Sequence, residues 1–155
     1  YNNASVRITG GQLKYVYNPA NDGTNTVAVN TGLNTNYNFL IQTRMQSNNA
    51  MGLVWGVSNN DYGFSLFIDD QGYFAVYKEG NANTAVKTLI DWQYNSAIVA
   101  GWNNIEVEQQ GDYWIGYANG KKLFEIAAQN LYGSKVGYIV MDGTTGYADY
   151  LTVQW

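Results

Sequence analysis

Apolar and polar residues alternate with a period of two along most of the chain, and turn-forming residues interrupt the alternation about every eight to twelve positions. Successive side chains of a strand point to opposite faces, so this period predicts half-buried β-strands rather than helices. The alternation predicts strands at residues 12–17, 37–46, 51–57, 62–69, 73–79, 102–110, 113–118, 121–127, 136–141 and 147–155. Ten strands in a chain of 155 residues imply two packed antiparallel sheets, an all-β sandwich forming a single domain over residues 1–155. Hairpin turns are predicted at Asp69-Asp70-Gln71-Gly72, Gly111-Asp112 and Asn119-Gly120, the last because Asn-Gly favours the positive φ angles of a type I′ turn. Loops are predicted at 19–23, 80–84 and 142–146, and a helical turn at most within 95–100 and 127–132.

Composition supports this reading. Aromatic residues make up 15% of the chain and 14 residues are Tyr, while 17 Gly and a single Pro supply turns without low complexity. No stretch approaches 18 consecutive apolar residues, so no segment is expected to cross a bilayer as a helix. A net charge of −4 with no run of Lys or Arg disfavours a nucleic-acid partner. The chain has no Cys and no His. That excludes disulfides, thiolate and imidazole metal sites, a Cys nucleophile and Ser-His-Asp chemistry.

The parity of each strand sorts side chains into two faces. With Phe64, Leu66 and Ile68 inward, Ser65, Phe67 and Asp69 point outward; with Phe74 and Val76 inward, Tyr73, Tyr77 and Glu79 point outward. Likewise Ile105 and Val107 inward leave Asn104, Glu106, Glu108 and Gln110 outward, and Trp114, Gly116 and Ala118 inward expose Tyr113, Ile115 and Tyr117. Phe39 and Ile41 inward expose Gln42, Arg44 and Gln46. Trp55 fits either face, as a core plug or as a platform for a ring, whereas Trp92, Trp102 and Trp155 adjoin strand ends and are expected to cap the core. Aromatic planes beside carboxylates, amides and a guanidinium suit a sugar, whose C–H faces stack on rings while planar polar groups bind its hydroxyls. The competing reading is a solvated sheet face with no ligand. The candidate ligand-binding residues are Arg44, Trp55, Tyr73, Tyr77, Glu106, Glu108, Tyr113 and Tyr117.

From residue 37 onward the order of signals resembles the concanavalin A-like lectin/glucanase superfamily, in its laminin-G-like and carbohydrate-binding-module-like branches. The resemblance rests on Gly52-Leu53-Val54-Trp55-Gly56, Asn60-Asp61-Tyr62-Gly63-Phe64 leading to the Gly72 hairpin, Leu89-Ile90-Asp91-Trp92, Trp102-Asn103-Asn104-Ile105-Glu106-Val107, Tyr117-Ala118-Asn119-Gly120-Lys121, residues 133–137 and Tyr147-Ala148-Asp149-Tyr150-Leu151-Thr152-Val153. It implies a jelly-roll sandwich, an oligo- or polysaccharide as partner, and an extracellular, cell-surface or periplasmic location. It also implies what a hydrolase of the fold needs: Glu-x-Asp-x-Glu on one strand, providing nucleophile and proton donor. The nearest match is Glu106-Val107-Glu108-Gln109-Gln110, in which Gln110 holds the third position and cannot donate that proton. The resulting expectation is a non-catalytic carbohydrate-binding module that requires no cofactor. Its rivals are a hydrolase, a lyase working through tyrosines and Arg44, and a protein-binding adhesin domain. Jelly rolls of this kind often hold a structural calcium ion, for which the oxygen-bearing candidates are Asp22, Asn25, Asp142 and Asp149.

Overall fold

The computed structural model describes residues 3–19, 21–34, 37–80 and 85–155, and these contain strands and turns but no helix. Thirteen strands follow one another: β1 (Ala4–Thr9), β2 (Gln12–Tyr17), β3 (Thr24–Asn30), β4 (Phe39–Ser47), β5 (Ala50–Val57), β6 (Gly63–Asp69), β7 (Tyr73–Glu79), β8 (Lys87–Tyr94), β9 (Asn103–Gln110), β10 (Tyr113–Ala118), β11 (Lys121–Ala127), β12 (Lys135–Met141) and β13 (Thr144–Gln154). They form a seven-stranded sheet in the order β1-β2-β13-β4-β9-β10-β11 and a six-stranded sheet in the order β3-β12-β5-β6-β7-β8, antiparallel throughout.

All three hairpins stand where the turn residues place them. Asp69 accepts the N–H groups of Gln71 and Tyr73 (both 2.9 Å), and Gly72 takes φ +95°. Asn119 and Gly120 both have positive φ, as the type I′ turn demands. The segment 95–100 is a turn without a helix, closed by Ile98 N–H on the Asn95 carbonyl (3.1 Å). Residues 81–84 of the expected 80–84 loop, and Ala20 of the 19–23 loop, lie outside the described residues. β13 begins at Thr144, which shortens the expected 142–146 loop to a tight link between sheets.

Three strands, β1, β3 and β8, have no counterpart in the alternation read from the sequence. Each is an edge strand. An edge strand is paired on one side only and is covered less, so its apolar–polar contrast weakens. β1 is exposed along nearly its whole length, and β8 pairs with β7 through register shifts.

The core between the sheets centres on three rings. Trp114 of β10 meets Phe64 of β6 and Trp55 of β5 edge-on, at centroid distances of 4.6 and 5.4 Å, and Trp55 stacks on Phe64 at 6.1 Å. Trp55 and Trp114 are fully buried. Trp114 Nε1–H donates to Gln109 Oε1 (2.9 Å), whereas Trp55 Nε1 has no hydrogen-bond partner among the described residues. The Thr43 and Tyr138 hydroxyls bond to one another (2.6 Å) and converge on the Tyr150 carbonyl. Gly137 permits close approach between neighbouring strands of one sheet. A Cβ there would stand 2.0 Å from the Val27 carbonyl of the neighbouring strand β3.

Pointing outward does not leave a side chain exposed. Phe67 lies on the outer face of the six-stranded sheet, as its parity requires, yet is 1% exposed in a cluster with Val54 and Ile139 that Tyr77 and Trp92 cover. On the same face Glu79 is buried and accepts the Ser65 hydroxyl (2.8 Å). Burial raises the Glu79 carboxyl above its ordinary range, and the Ser65 bond opposes this only in part.

Trp114→Phe breaks the bond to Gln109 in addition to leaving a void, so it should cost about 1 kcal/mol more than Trp55→Phe, which gives up no hydrogen bond. Urea unfolding of both variants checks the order, and equal losses would contradict it. Because the folded state holds the Glu79 proton more tightly than the unfolded chain, this site stabilises the fold below the unfolded carboxyl range, and the contribution is lost as pH rises through the raised value. Glu79→Gln should therefore melt about 2–4 °C higher than the parent at pH 7. The difference should shrink towards pH 4 in thermal melts monitored by circular dichroism.

Candidate functional site

The outer face of the seven-stranded sheet carries an array of polar and aromatic side chains. Strand registry lines up Thr152, Gln42, Glu106 and Tyr117 across β13, β4, β9 and β10, with Leu40, Glu108 and Ile115 in the adjacent row. Side-chain bonds tie neighbours together both within and between these rows. Gln42 Nε2 donates to Glu106 Oε1 (3.1 Å), and the Tyr117 hydroxyl donates to Glu108 Oε1 (2.6 Å). Arg44 pairs with Asp149 (Nη1 to Oδ2, 3.3 Å) while its guanidinium lies over the Trp102 ring, 4.7 Å from the centroid. Each of these planar groups is thus held by another.

Hydrogen bonding to Glu108 is the largest cause that pushes the Tyr117 hydroxyl up to about 12, followed by desolvation and by the negative charges of Glu108, Glu106 and Glu125. Tyr117 therefore stays a donor at physiological pH.

Five of the eight candidate ligand residues, Arg44, Glu106, Glu108, Tyr113 and Tyr117, share this face. Tyr73 and Tyr77 do not. They belong to β7 of the other sheet and lie on its outer face, where Tyr73 meets Tyr94 edge-on at 5.8 Å and Tyr77 packs on Phe67 at 6.0 Å. Parity assigns a face within a sheet but not the sheet, so residues on β7 and β10 were combined that stand on opposite sides of the molecule. Trp55 is corrected to the core: buried between the sheets, it presents no ring to a ligand. Ile115 is outward as expected but only 7% exposed.

Trp102 was expected to cap the core, and instead it is half-buried under Arg44. The signal was available, since Trp102 precedes the outward Asn104 by two positions and shares its parity. Trp92 packs on Phe67 outside the sandwich core, and Trp155 is 56% exposed, so neither caps it.

Glu106 and Glu108 are two residues apart on β9, about 6.7 Å along the strand. Both carboxylates are engaged, by Gln42 and Tyr117, and the third position of the hydrolase pattern is the exposed amide Gln110.

Of the four residues considered for calcium, Asp149 stands apart, in the other sheet from Asn25. Asp149 is an extra residue in β13, at the register shift between Ala148 and Tyr150, and this bulge carries its carboxylate to Arg44. The Asn25 side-chain oxygen accepts the Tyr15 hydroxyl. Asp142 N–H donates to the Gly23 carbonyl (3.0 Å) and Val140 stands opposite Asn25, which brings the Asp142 backbone beside the segment 22–25. Among the described residues no cluster of three or more acidic side chains could hold a metal ion.

The sequence matches no family model and no curated protein sequence. The structure is similar to the carbohydrate-binding module CBM66 from Bacillus subtilis (TM-score 0.74, 14% identity, covering 99% of this chain and 92% of that one). It is also similar to Bacillus licheniformis β-glucanase (0.60, 10%, 99% and 83%) and to sheep galectin-11 in complex with glycerol (0.58, 10%, 88% and 99%). At such identities the likeness bears on the fold alone, and that fold is the concanavalin A-like jelly roll.

Proposed function

We propose that this chain is a non-catalytic carbohydrate-binding domain of a secreted or cell-surface protein, holding glycan on the outer face of its seven-stranded sheet. The observation that carries the reading is the mutually braced set Trp102–Arg44–Asp149, Gln42–Glu106 and Tyr117–Glu108. Sugars are recognised by ring faces and by planar groups that bind vicinal hydroxyl pairs, and both are present here on rigid strands. Preorganised side chains lose little further freedom when ligand arrives, which favours affinity on an open face. A net charge of −4 and the carboxylates of β9 suit a hydroxyl-rich partner better than a polyphosphate. Similar folds include a carbohydrate-binding module and galectins, which supports the same reading.

One observation favours a second reading, a glycoside hydrolase of the same fold: Glu106 and Glu108 share a face. Against it stands Gln110, an amide where proton transfer needs an acid.

A glycan array followed by calorimetric titration tests the first reading. Trp102→Ala and Tyr117→Ala should each weaken binding of the best array ligand by about tenfold, or about 1.4 kcal/mol. Both variants should stay folded, with melting temperatures lowered by about 2–4 °C for the lost contact to Arg44 or Glu108. Unchanged affinity in both variants would place binding elsewhere. Reducing-end assays on the same glycans decide the second reading. The parent should release no product, whereas hydrolysis that disappears in Glu106→Gln/Glu108→Gln would make the protein an enzyme.

A further inference from the structure

At one end of the sandwich the segment before β12 is clamped onto the last turn of β5 by backbone alone. Tyr132 and Gly133 both donate their N–H to the Gly56 carbonyl (3.1 Å each). A Cβ on Gly133 would stand 2.4 Å from the Val57 carbonyl, so only glycine permits this approach. The clamp sets the Tyr132 ring against buried Phe64 (5.8 Å, nearly parallel) and beside Tyr62 (5.7 Å), with 43% of the residue still exposed. Next to the ring is a cavity of about 360 Å³ lined among others by Asn30, Ser58, Asn59, Tyr132, Ser134 and Lys135, within the usual size range of small-ligand sites. Asn30 Oδ1 accepts both the Ser134 hydroxyl (2.6 Å) and the Gly32 N–H (3.0 Å), which fixes the orientation of its amide.

Three lysines gather at this end, near Asp61 in the turn 58–62. Lys78 Nζ lies 5.2 Å from the Tyr132 centroid, Lys87 stands directly opposite Lys78 in the β7–β8 register, and Lys135 lines the cavity. These are three of the eight basic residues of an acidic protein, and among the described residues none of them forms an ion pair. Like charges directly opposite on paired strands are destabilising, so a counter-charge from outside the chain would relieve the arrangement.

We propose that this cavity is a second carbohydrate subsite, selective for an anionic sugar residue: the exposed part of Tyr132 packs against it, Asn30, Asn59 and Ser134 bind its hydroxyls, and Lys135 and Lys78 pair with its carboxylate or sulfate. The inference rests on the carbohydrate reading above and adds the ligand's charge and a site distinct from the sheet face.

Titration of the whole chain with trigalacturonate and with its methyl ester removes the charge while keeping the sugar. A sulfated galactan oligosaccharide and its desulfated form do the same for sulfate and separate the two sources of charge. At least one anionic probe should bind about tenfold or more tightly than its neutral form at 50 mM salt, and the gap should narrow at 500 mM. Lys78→Met/Lys135→Met should close the gap while melting as the parent does, and Tyr132→Ala should weaken the anionic probe about tenfold while remaining folded by circular dichroism. Equal affinity for charged and neutral forms, a gap that survives in the lysine variant, or no binding of either anion overturns the inference. The two readings fail separately. If array glycans depend on Trp102 and Tyr117 while the charge gap is absent, the sheet face stands and the loop-end site falls. If the gap depends on the lysines while Trp102→Ala/Tyr117→Ala alters no glycan, the opposite holds.

Discussion

The architecture depends on the edge-to-face contact of Trp114 with Trp55 and Phe64 across the two sheets, anchored by the single bond from Trp114 to Gln109. Burying Trp114 fixes the parity of β10, and bonding it to Gln109 fixes that of β9. Slipping β9 by one residue would bring Glu106 and Glu108 into the core, and slipping β10 would bring in Tyr117 and carry the Trp114 indole out to solvent. The polar grid on the outer face is therefore the reverse side of the aromatic core: Glu106 and Glu108 alternate with Ile105, Val107 and Gln109 on one strand.

Legibility in the sequence followed coverage. Strands flanked by neighbours on both sides, such as β5, β6, β9 and β12, alternate or run apolar because both their environments are well defined. The edges β1, β3 and β8 have one partner and a weaker contrast, and alternation alone passed over them. The candidate site was legible as a parity and not as a place. Glu106, Glu108, Tyr113, Tyr117 and Arg44 converge because β4, β9 and β10 are neighbours, whereas Tyr73 and Tyr77 obey the same parity in the other sheet. Nothing local to a strand states which sheet it joins, since that is decided by long-range pairing. Trp55 was ambiguous for a related reason: every residue of β5 is buried, so its strand shows no exposed face against which to read the indole.

The two proposed subsites differ in electrostatic character, and the difference originates in registry. On the sheet face Glu106 and Glu108 are held by neutral donors and Asp149 by Arg44, which leaves a fixed, net-negative network that discriminates by shape and hydroxyl geometry. At the loop end the lysines are brought together by the β7–β8 register and by the clamp at Gly56, with no acid bonded to them among the described residues. A glycan that engaged both would be read for stereochemistry in one place and for charge in another.

The bulge at Asp149 also bears on how this chain tolerates changes in length. Ala148 faces the core and Tyr150 is opposite Arg44, so Asp149 is one residue more than the ladder needs. Omitting it would leave Ala148, Tyr150, Leu151, Thr152 and Val153 in unbroken alternation, with Leu151 and Val153 still packed inward. An unbulged strand that retained it would turn those two residues to solvent. Asp149 thus behaves as an insertion that the sheet has absorbed without altering any later frame. What distinguishes the longer chain from the shorter is the carboxylate that opposes Arg44, a polar contact that could be gained or lost by indel without refolding the sandwich.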